Sequence, residues 1–278
     1  MPALRTLMAA ALLLAGYCIS AEAKEEPLWE AGLGVGALAF PDYRGADQGS
    51  VYPVPMPYFI YRGEFLKADR DGFRGELFNR EIAELSISFN GTIPVDSEDN
   101  AARRGMPDLK PTVEVGPSLD VHLWKSQDRD VKLDVILPLR APITLESSPQ
   151  SIGWVFSPRI NLDIDDIGGP GGWSFGVGAG PVFADRRYHA YFYDVSPRFE
   201  TAERPTYRSS SGYSGAHLIT SLSKRFPKYW VGAFMRYDVL SGAEFEDSPL
   251  VRRRSSVFGG VGIAWMIGKS KRMVEVKD

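Results

Sequence analysis

Glu114, Ser118 and His122 put an acid, a nucleophile and a base at regular four-residue intervals, the set in this chain most suggestive of chemistry. In an extended strand alternate side chains share a face, so the three would point the same way. At about 3.3 Å per residue, neighbours in the set stand roughly 13 Å apart, whereas a nucleophile and its base must approach to about 3 Å. The three cannot form a triad by themselves. They read as a polar lining, and only a serine or acid from another strand would make His122 the centre of a lipid-modifying site.

The remaining motifs are weaker. Gly212-Tyr-Ser-Gly-Ala216 lacks the last glycine of a nucleophile elbow. His122, His189 and His217 are scattered, with no metal-ligand spacing. Asp163, Asp165 and Asp166 precede Gly168-Gly-Pro-Gly-Gly172 and read as a solvated turn rather than a calcium loop. Gly32, Gly34 and Gly36 alternate without a following helix, which excludes a dinucleotide site and suits close packing in a small barrel. No catalytic residue, metal ligand or cofactor site is expected.

The elements that would hold these residues are strands. Val113, Val115, Pro117, Leu119, Val121 and Leu123 oppose Glu114, Gly116, Ser118, Asp120 and His122. Val131, Leu133, Val135, Leu137 and Leu139 oppose Lys132, Asp134 and Arg140. Ile160 and Leu162 oppose Arg159, Asn161 and Asp163, and Tyr229 to Val239 in odd steps oppose Arg236 and Asp238. In the last such segment Val257, Val261, Ile263 and Trp265 oppose Phe258, Gly260, Gly262 and Met266. A strict period of two gives each segment one apolar face. Several of these runs exceed ten residues, longer than ordinary globular strands and long enough to cross a bilayer when tilted.

Composition agrees. The chain has 278 residues, 28 Gly, 6 Trp, 12 Tyr, 15 Phe and a net charge of −3, which gives nucleic acid no basic footprint. Met1-Pro-Ala-Leu-Arg5, an apolar run from Leu7 to Ala15, and Ala21-Glu22-Ala23 form the three parts of a secretory signal, residues 1–23. Cleavage there would remove Cys18 and leave a mature chain that cannot use disulfides. A spanning sheet cannot leave edges in lipid, so it must close.

The fold expected is therefore an all-β, antiparallel, up-and-down transmembrane barrel of the outer-membrane type, over residues 24–268. Strands are placed near 28–40, 54–61, 64–69, 72–78, 82–90, 109–124, 131–145, 150–164, 173–184, 213–225, 229–241 and 255–268. Twelve is the expected number, with ten as the alternative because the second to fourth are short. Long connections at 41–53, 91–108, 185–212 and 242–254 would face outward and short turns the periplasm, the rule for bacterial barrels. Glu114, Asp120, His122, Lys132, Asp134, Arg140, Arg159, Asp163, Arg236 and Asp238 would face the lumen, where mixed charges could pair and plug it.

Two surfaces could bind a partner. Arg186, Arg187, Tyr191 and Tyr193, with Arg252, Arg253 and Arg254, would stand at the outer rim, where guanidinium groups match lipopolysaccharide phosphates; the alternative is an aromatic girdle with solvated arginines. On the periplasmic side stand Lys125, Asp128, Arg129 and Asp130, the 165–172 turn, and a tail, 269–278, carrying Lys269, Lys271 and Arg272. The alternative for the tail is a frayed terminus.

Several stretches, in order, resemble the MipA/OmpV family of Gram-negative outer-membrane proteins. They are Trp29-Glu-Ala-Gly-Leu-Gly-Val-Gly-Ala37, Phe40-Pro-Asp-Tyr-Arg-Gly-Ala-Asp47 and Val54-Pro-Met-Pro-Tyr-Phe-Ile-Tyr-Arg62. Ser211-Gly-Tyr-Ser-Gly215, Gly232-Ala-Phe-Met-Arg-Tyr-Asp-Val-Leu240, Asp247-Ser-Pro-Leu-Val251 and the glycine-rich last strand follow. The resemblance implies a non-enzymatic outer-membrane barrel that holds a membrane-bound lytic transglycosylase (MltA) near a bifunctional penicillin-binding protein. A narrow pore or a lipopolysaccharide-binding barrel is the competing expectation. The chain departs from such barrels in ending on Lys269–Asp278 rather than on a terminal aromatic.

Overall fold

The structure is a computed structural model that describes residues 24–62, 66–69, 72–79, 82–128 and 130–276. The proposed leader, residues 1–23, and Arg129 lie outside the described residues. Strands dominate: β1 (Lys24–Pro27), β2 (Trp29–Pro41), β3 (Gly49–Arg62), β4 (Leu66–Asp69), β5 (Gly72–Asn79), β6 (Ala83–Thr92), β7 (Thr112–Lys125) and β8 (Val131–Thr144) come first. β9 (Val155–Phe156), β10 (Arg159–Ile167), β11 (Trp173–Ala184), β12 (Gly212–Arg225), β13 (Tyr229–Val239), β14 (Ser255–Lys269) and β15 (Met273–Val276) complete them.

From β2 to β14 successive strands pair antiparallel, β9 with β10 excepted, and β14 pairs with β2 to close the sheet. β9 and β10 act as one stave broken at Ser157-Pro158, where proline has no N–H for a ladder: both pair with β8 on one side and β11 on the other. Among the described residues the barrel thus has twelve staves. Closure needs β2 and β14 in tight contact, and a Cβ at Gly34 would lie 2.0 Å from the Ile263 carbonyl oxygen.

The outer face is apolar and uncovered: Val261 is 61% exposed, and Leu33, Ile160 and Val257 also point out. Trp29, Trp124, Trp173 and Trp265 form a belt near the end with the short turns. Val115, Pro117, Leu139, Ala141 and Trp154 line a groove of about 510 Å³ on this face. No helix among the described residues is long and apolar enough to span a membrane.

The buried hydrophobic cluster lies in the long connections rather than between the strands. Tyr43 and Ala46, Val95 and Leu109, Ile152, Tyr188 to Val195, and Leu240 to Leu250 pack together as a cap spanning the outer mouth. Within it lies α1 (Arg186–Tyr193), a helix where the sequence suggested a loop. Asp185 caps α1 through Tyr188 N at 3.0 Å, and Tyr188, His189, Phe192 and Tyr193 give it a buried face at helical spacing.

Other differences have local causes. β3 starts at Gly49, not 54, because Pro53, Pro55 and Pro57 do not interrupt its ladder to β2. β7 starts at Thr112, since Leu109 bridges back to Val95 inside a loop. Lys269 belongs to β14, and Met273–Val276 is not a loose tail: it pairs with Lys24–Pro27, tying the two ends together.

Candidate functional site

The register places all ten expected lumen residues on the inward face, where the charges mostly find partners. His122 Nδ1 meets Asp134 Oδ1 at 2.8 Å, between strands β7 and β8. Arg140 donates to Glu114 (3.1 Å), Ser88 (3.2 Å) and Ser157 (3.0 Å), and Asn90 donates to the same Glu114. Arg236 donates to Asp238 at 2.8 and 2.9 Å, and Arg44 from the cap pairs with Asp238 at 3.0 Å. Lys132 stands opposite Asp163 in the β8–β10 register, and Arg159 opposite Ile136.

Ser118 donates to Asp120 at 2.7 Å rather than to His122. An acid orients His122, yet among the described residues no serine is bonded to its other nitrogen. A different serine–histidine pair does form: His189 Nε2 lies 3.0 Å from Ser214 Oγ, with Nδ1 2.6 Å from the Ser210 carbonyl. Ser214 comes from the glycine-flanked motif near 212–216, so the sequence held half the signal. Both residues are fully buried, His189 on α1 and Ser214 at the start of β12. Burial lowers the His189 pKa from 6.5 and favours the neutral ring, which donates to Ser210 and accepts from Ser214.

The lumen is divided. Across from the polar wall of β6 to β11, strands β2, β3, β13 and β14 turn inward Leu38, Phe40, Val54, Met56, Tyr58, Trp230, Phe234 and Phe258. Phe258 packs edge-on against Phe40 and Phe234, and Tyr58 lies 6.3 Å from Trp230. Gly260 and Gly262 leave room for these side chains: a Cβ would lie 2.5 Å from Leu38 Cδ2 and 2.7 Å from Met56 Sδ, respectively. The alternation of Phe258, Gly260 and Gly262 was visible in the sequence, but that they join an apolar wall depends on neighbours far along the chain.

At the end with the short turns, Glu30 of β2 is 1% exposed and binds Arg62 of β3 (2.9 Å) and Arg225 of β12 (2.8 Å). Arg62 also pairs with Glu26 of β1, linking this cluster to the terminal strand pair. The two turns singled out in the sequence lie side by side, with Asp165 N donating to Asp130 O at 2.6 Å. Desolvation, then the charges of Asp128, Asp166 and Asp165, hold the Asp130 pKa above its usual range. Asp166 accepts from the Gly171 and Gly172 N–H groups of its own turn. Asp128 accepts from Ser126, and Lys125, Lys269, Lys271 and Arg272 are exposed.

The outer-rim set divides. Arg187, Arg252, Arg253 and Arg254 are exposed. Arg186 instead pairs with Asp194 at 3.0 Å, and the Tyr191 hydroxyl bonds both backbone groups of Lys110. Tyr193 is 2% exposed and stacks 3.7 Å from Phe245, so it is core of the cap and not a rim contact.

A closed antiparallel sheet with an apolar outer belt, a charged interior and long loops at one end defines an outer-membrane β-barrel protein. The chain belongs to the family described as MltA-interacting protein MipA, which it matches over residues 33–267. No match is found among curated proteins. Among solved structures it is similar to Ail, the attachment invasion locus protein of Yersinia pestis, in complex with the heparin analogue sucrose octasulfate. The identity is 11%, covering 86% of this chain and 99% of that one, with a TM-score of 0.19. It is also similar to the P. putida toluene transporter TodX, at 10% identity, 88% and 68% coverage and a TM-score of 0.26. Likenesses of that size decide nothing about function.

Proposed function

We propose that this barrel is a non-enzymatic scaffold, exported with loss of residues 1–23. It would hold a membrane-bound lytic transglycosylase of the MltA kind, and with it a bifunctional penicillin-binding protein, at its periplasmic end. The family match over residues 33–267 carries the reading. The periplasmic end supports it: Lys24–Pro27 and Met273–Val276 join there in a two-stranded sheet with exposed Lys269, Lys271 and Arg272 close by in sequence, and on another side of the barrel exposed Lys125 leads into the paired acidic turns at 128–130 and 165–166. A murein enzyme in the periplasm can touch only these turns and ends. Crosslinked affinity purification from outer membranes tests this; recovery of a murein enzyme is expected, and capture of none removes the reading.

A second reading, a narrow pore or lipopolysaccharide binder, is favoured by exposed Arg187, Arg252, Arg253 and Arg254 at the outer rim. Steady conductance in planar bilayers would favour it, and the paired lumen charges and the cap argue for none. Lipid hydrolysis abolished by His122→Ala would restore the enzyme reading.

A further inference from the structure

Among the described residues the barrel wall is not paired along its full height. Among the described residues β4 pairs with β3 only at Tyr61 and Arg62, β5 pairs back onto β4 from Gly72 to Gly75, and the β5 ladder to β6 ends at Ile87. Among the described residues, β3 from Gly49 to Ile60 therefore has no strand on that side, and β3 and β6 do not pair across the space. The missing width is two staves, roughly 10 Å at about 4.8 Å per strand. On the β3 side the space runs almost the full height of the strand, and on the β6 side it covers Ser88–Thr92, the part nearer the long loops, so it reaches the outer leaflet.

The opening is framed. Above it, the 42–48 and 93–111 loops are joined: Gln48 Nε2 donates to Asp99 O (3.0 Å), Ala101 N to Gln48 Oε1 (2.6 Å), and Asn100 Nδ2 to Asp42 Oδ2 (2.7 Å). Below it stands the β4–β5 hairpin. The β3 edge is prepared by sequence. Arg62 N donates to Leu28 O, and Gln48 O accepts from Asp42 N, so even-numbered residues of β3 turn their backbone groups to β2. Odd-numbered residues turn theirs to the opening, and three of them are Pro53, Pro55 and Pro57, which have no N–H to offer an incoming strand. The edge is thus built against strand addition. Its carbonyl groups still need water, which bare lipid cannot supply and the polar side of the lumen can.

Immediately inside this edge, Val54, Met56, Tyr58 and Ile60 begin the apolar wall that continues through Leu38, Phe258 and Phe234. The cap spans the mouth above, and the Glu30–Arg62–Arg225 cluster occupies the inner face near the bottom. An apolar surface inside the barrel, bordered by a wet wall and open sideways to the membrane, fits an amphiphile. We propose that the opening is a lateral port through which the acyl chain of an outer-leaflet lipid enters the lumen and lies along the apolar wall of β2, β3, β13 and β14.

The test places the photocrosslinker p-benzoylphenylalanine singly at Met56 on the apolar wall, at Asn161 on the polar wall and at Val257 on the lipid face. Each full-length variant is irradiated in outer membranes, in phospholipid vesicles, and in such vesicles doped with oleic acid. Only variants that keep heat-modifiable gel migration are scored, and Phe234 replaces Met56 if the latter fails to fold. Adducts bearing lipopolysaccharide or phospholipid mass at Met56 and Val257, at least tenfold above Asn161, are expected. Lipid adducts at Val257 with none at Met56 or Phe234 would overturn the port. Adducts inside the lumen with free oleate alone would overturn it as well, because the port would then not admit leaflet lipid.

Discussion

Glu30 and Arg225, 195 positions apart in sequence, meet at 2.8 Å inside the barrel, with Glu30 almost entirely buried and shared with Arg62. The contact links the first long stave to β12 across two intervening strands, so it registers whether the barrel has closed. Breaking a buried ion pair typically costs about 3–5 kcal/mol. Glu30→Ala should fall at the low end of that range, because Arg225 is 42% exposed and Arg62 keeps Glu26. Urea unfolding followed by heat-modifiable migration measures it; a loss below about 0.5 kcal/mol, ordinary for a surface site, would contradict the closure role.

Val135 and Asp134 sit side by side on β8 and face opposite ways. Val135 pairs in register with Val121 and Ile160 on the lipid side, while Asp134 meets His122 inside. Val135→Arg should cost roughly 2–4 kcal/mol, the penalty for a cation near the bilayer midplane. Asp134→Asn keeps the lumen polar and should cost clearly less. Equal losses in the same folding assay would count against the assigned faces.

Gly34 stands where a Cβ would meet the Ile263 carbonyl at 2.0 Å. Since backbone, not a flexible side chain, blocks the space, Gly34→Val should reach or exceed the roughly 1–3 kcal/mol of ordinary overpacking. Gly105, whose surroundings are open, serves as the comparison, although its φ of +79° adds backbone strain to any side chain there. A folded fraction at wild-type level for Gly34→Val would mean that β2 and β14 are less tightly joined.

The cap should weaken in acid. Burial lowers the folded-state pKa of His189 from 6.5; Arg44 adds to the shift, and the Ser210 carbonyl, Asp185 and Glu244 oppose it. The unfolded cap therefore takes up a proton first as pH falls. Stability from this group is full above 6.5 and is lost progressively down to the lowered value. Amide exchange of residues 188–193 should speed up between pH 7.5 and 5, and His189→Gln should flatten that component. An unchanged profile in the variant would show that other groups set it.

Much of this architecture could be read from period-two alternation, because a membrane barrel repeats one rule on every stave. The alternating faces from Val113 to Leu139 sufficed to orient Glu114, His122 and Asp134. At β3 the expected strand covers 54–61, whereas its ladder to β2 runs from Gly49, and the edge facing away from β2 tolerates Pro53, Pro55 and Pro57 all on one side. The tail was legible in hindsight, since Met273-Val-Glu-Val276 alternates, but its partner Lys24–Pro27 lies some 250 positions away. Tyr193 was misplaced for a related reason. An aromatic next to a membrane surface and an aromatic in a loop core have the same local sequence, and only Phe245, stacked upon it, distinguishes them.

The scaffold reading meets its most direct test in paired pull-downs from outer membranes, with the intact protein and a form lacking residues 270–278, which removes β15 and frees β1. Both must show heat-modifiable barrel migration. The intact protein is expected to bring down a lytic transglycosylase and a penicillin-binding protein, and the shortened one to recover at least severalfold less. Undiminished recovery by the shortened form would move the contact to the turns at 126–130 and 165–172. Failure of the intact protein to capture any murein enzyme would contradict the scaffold itself.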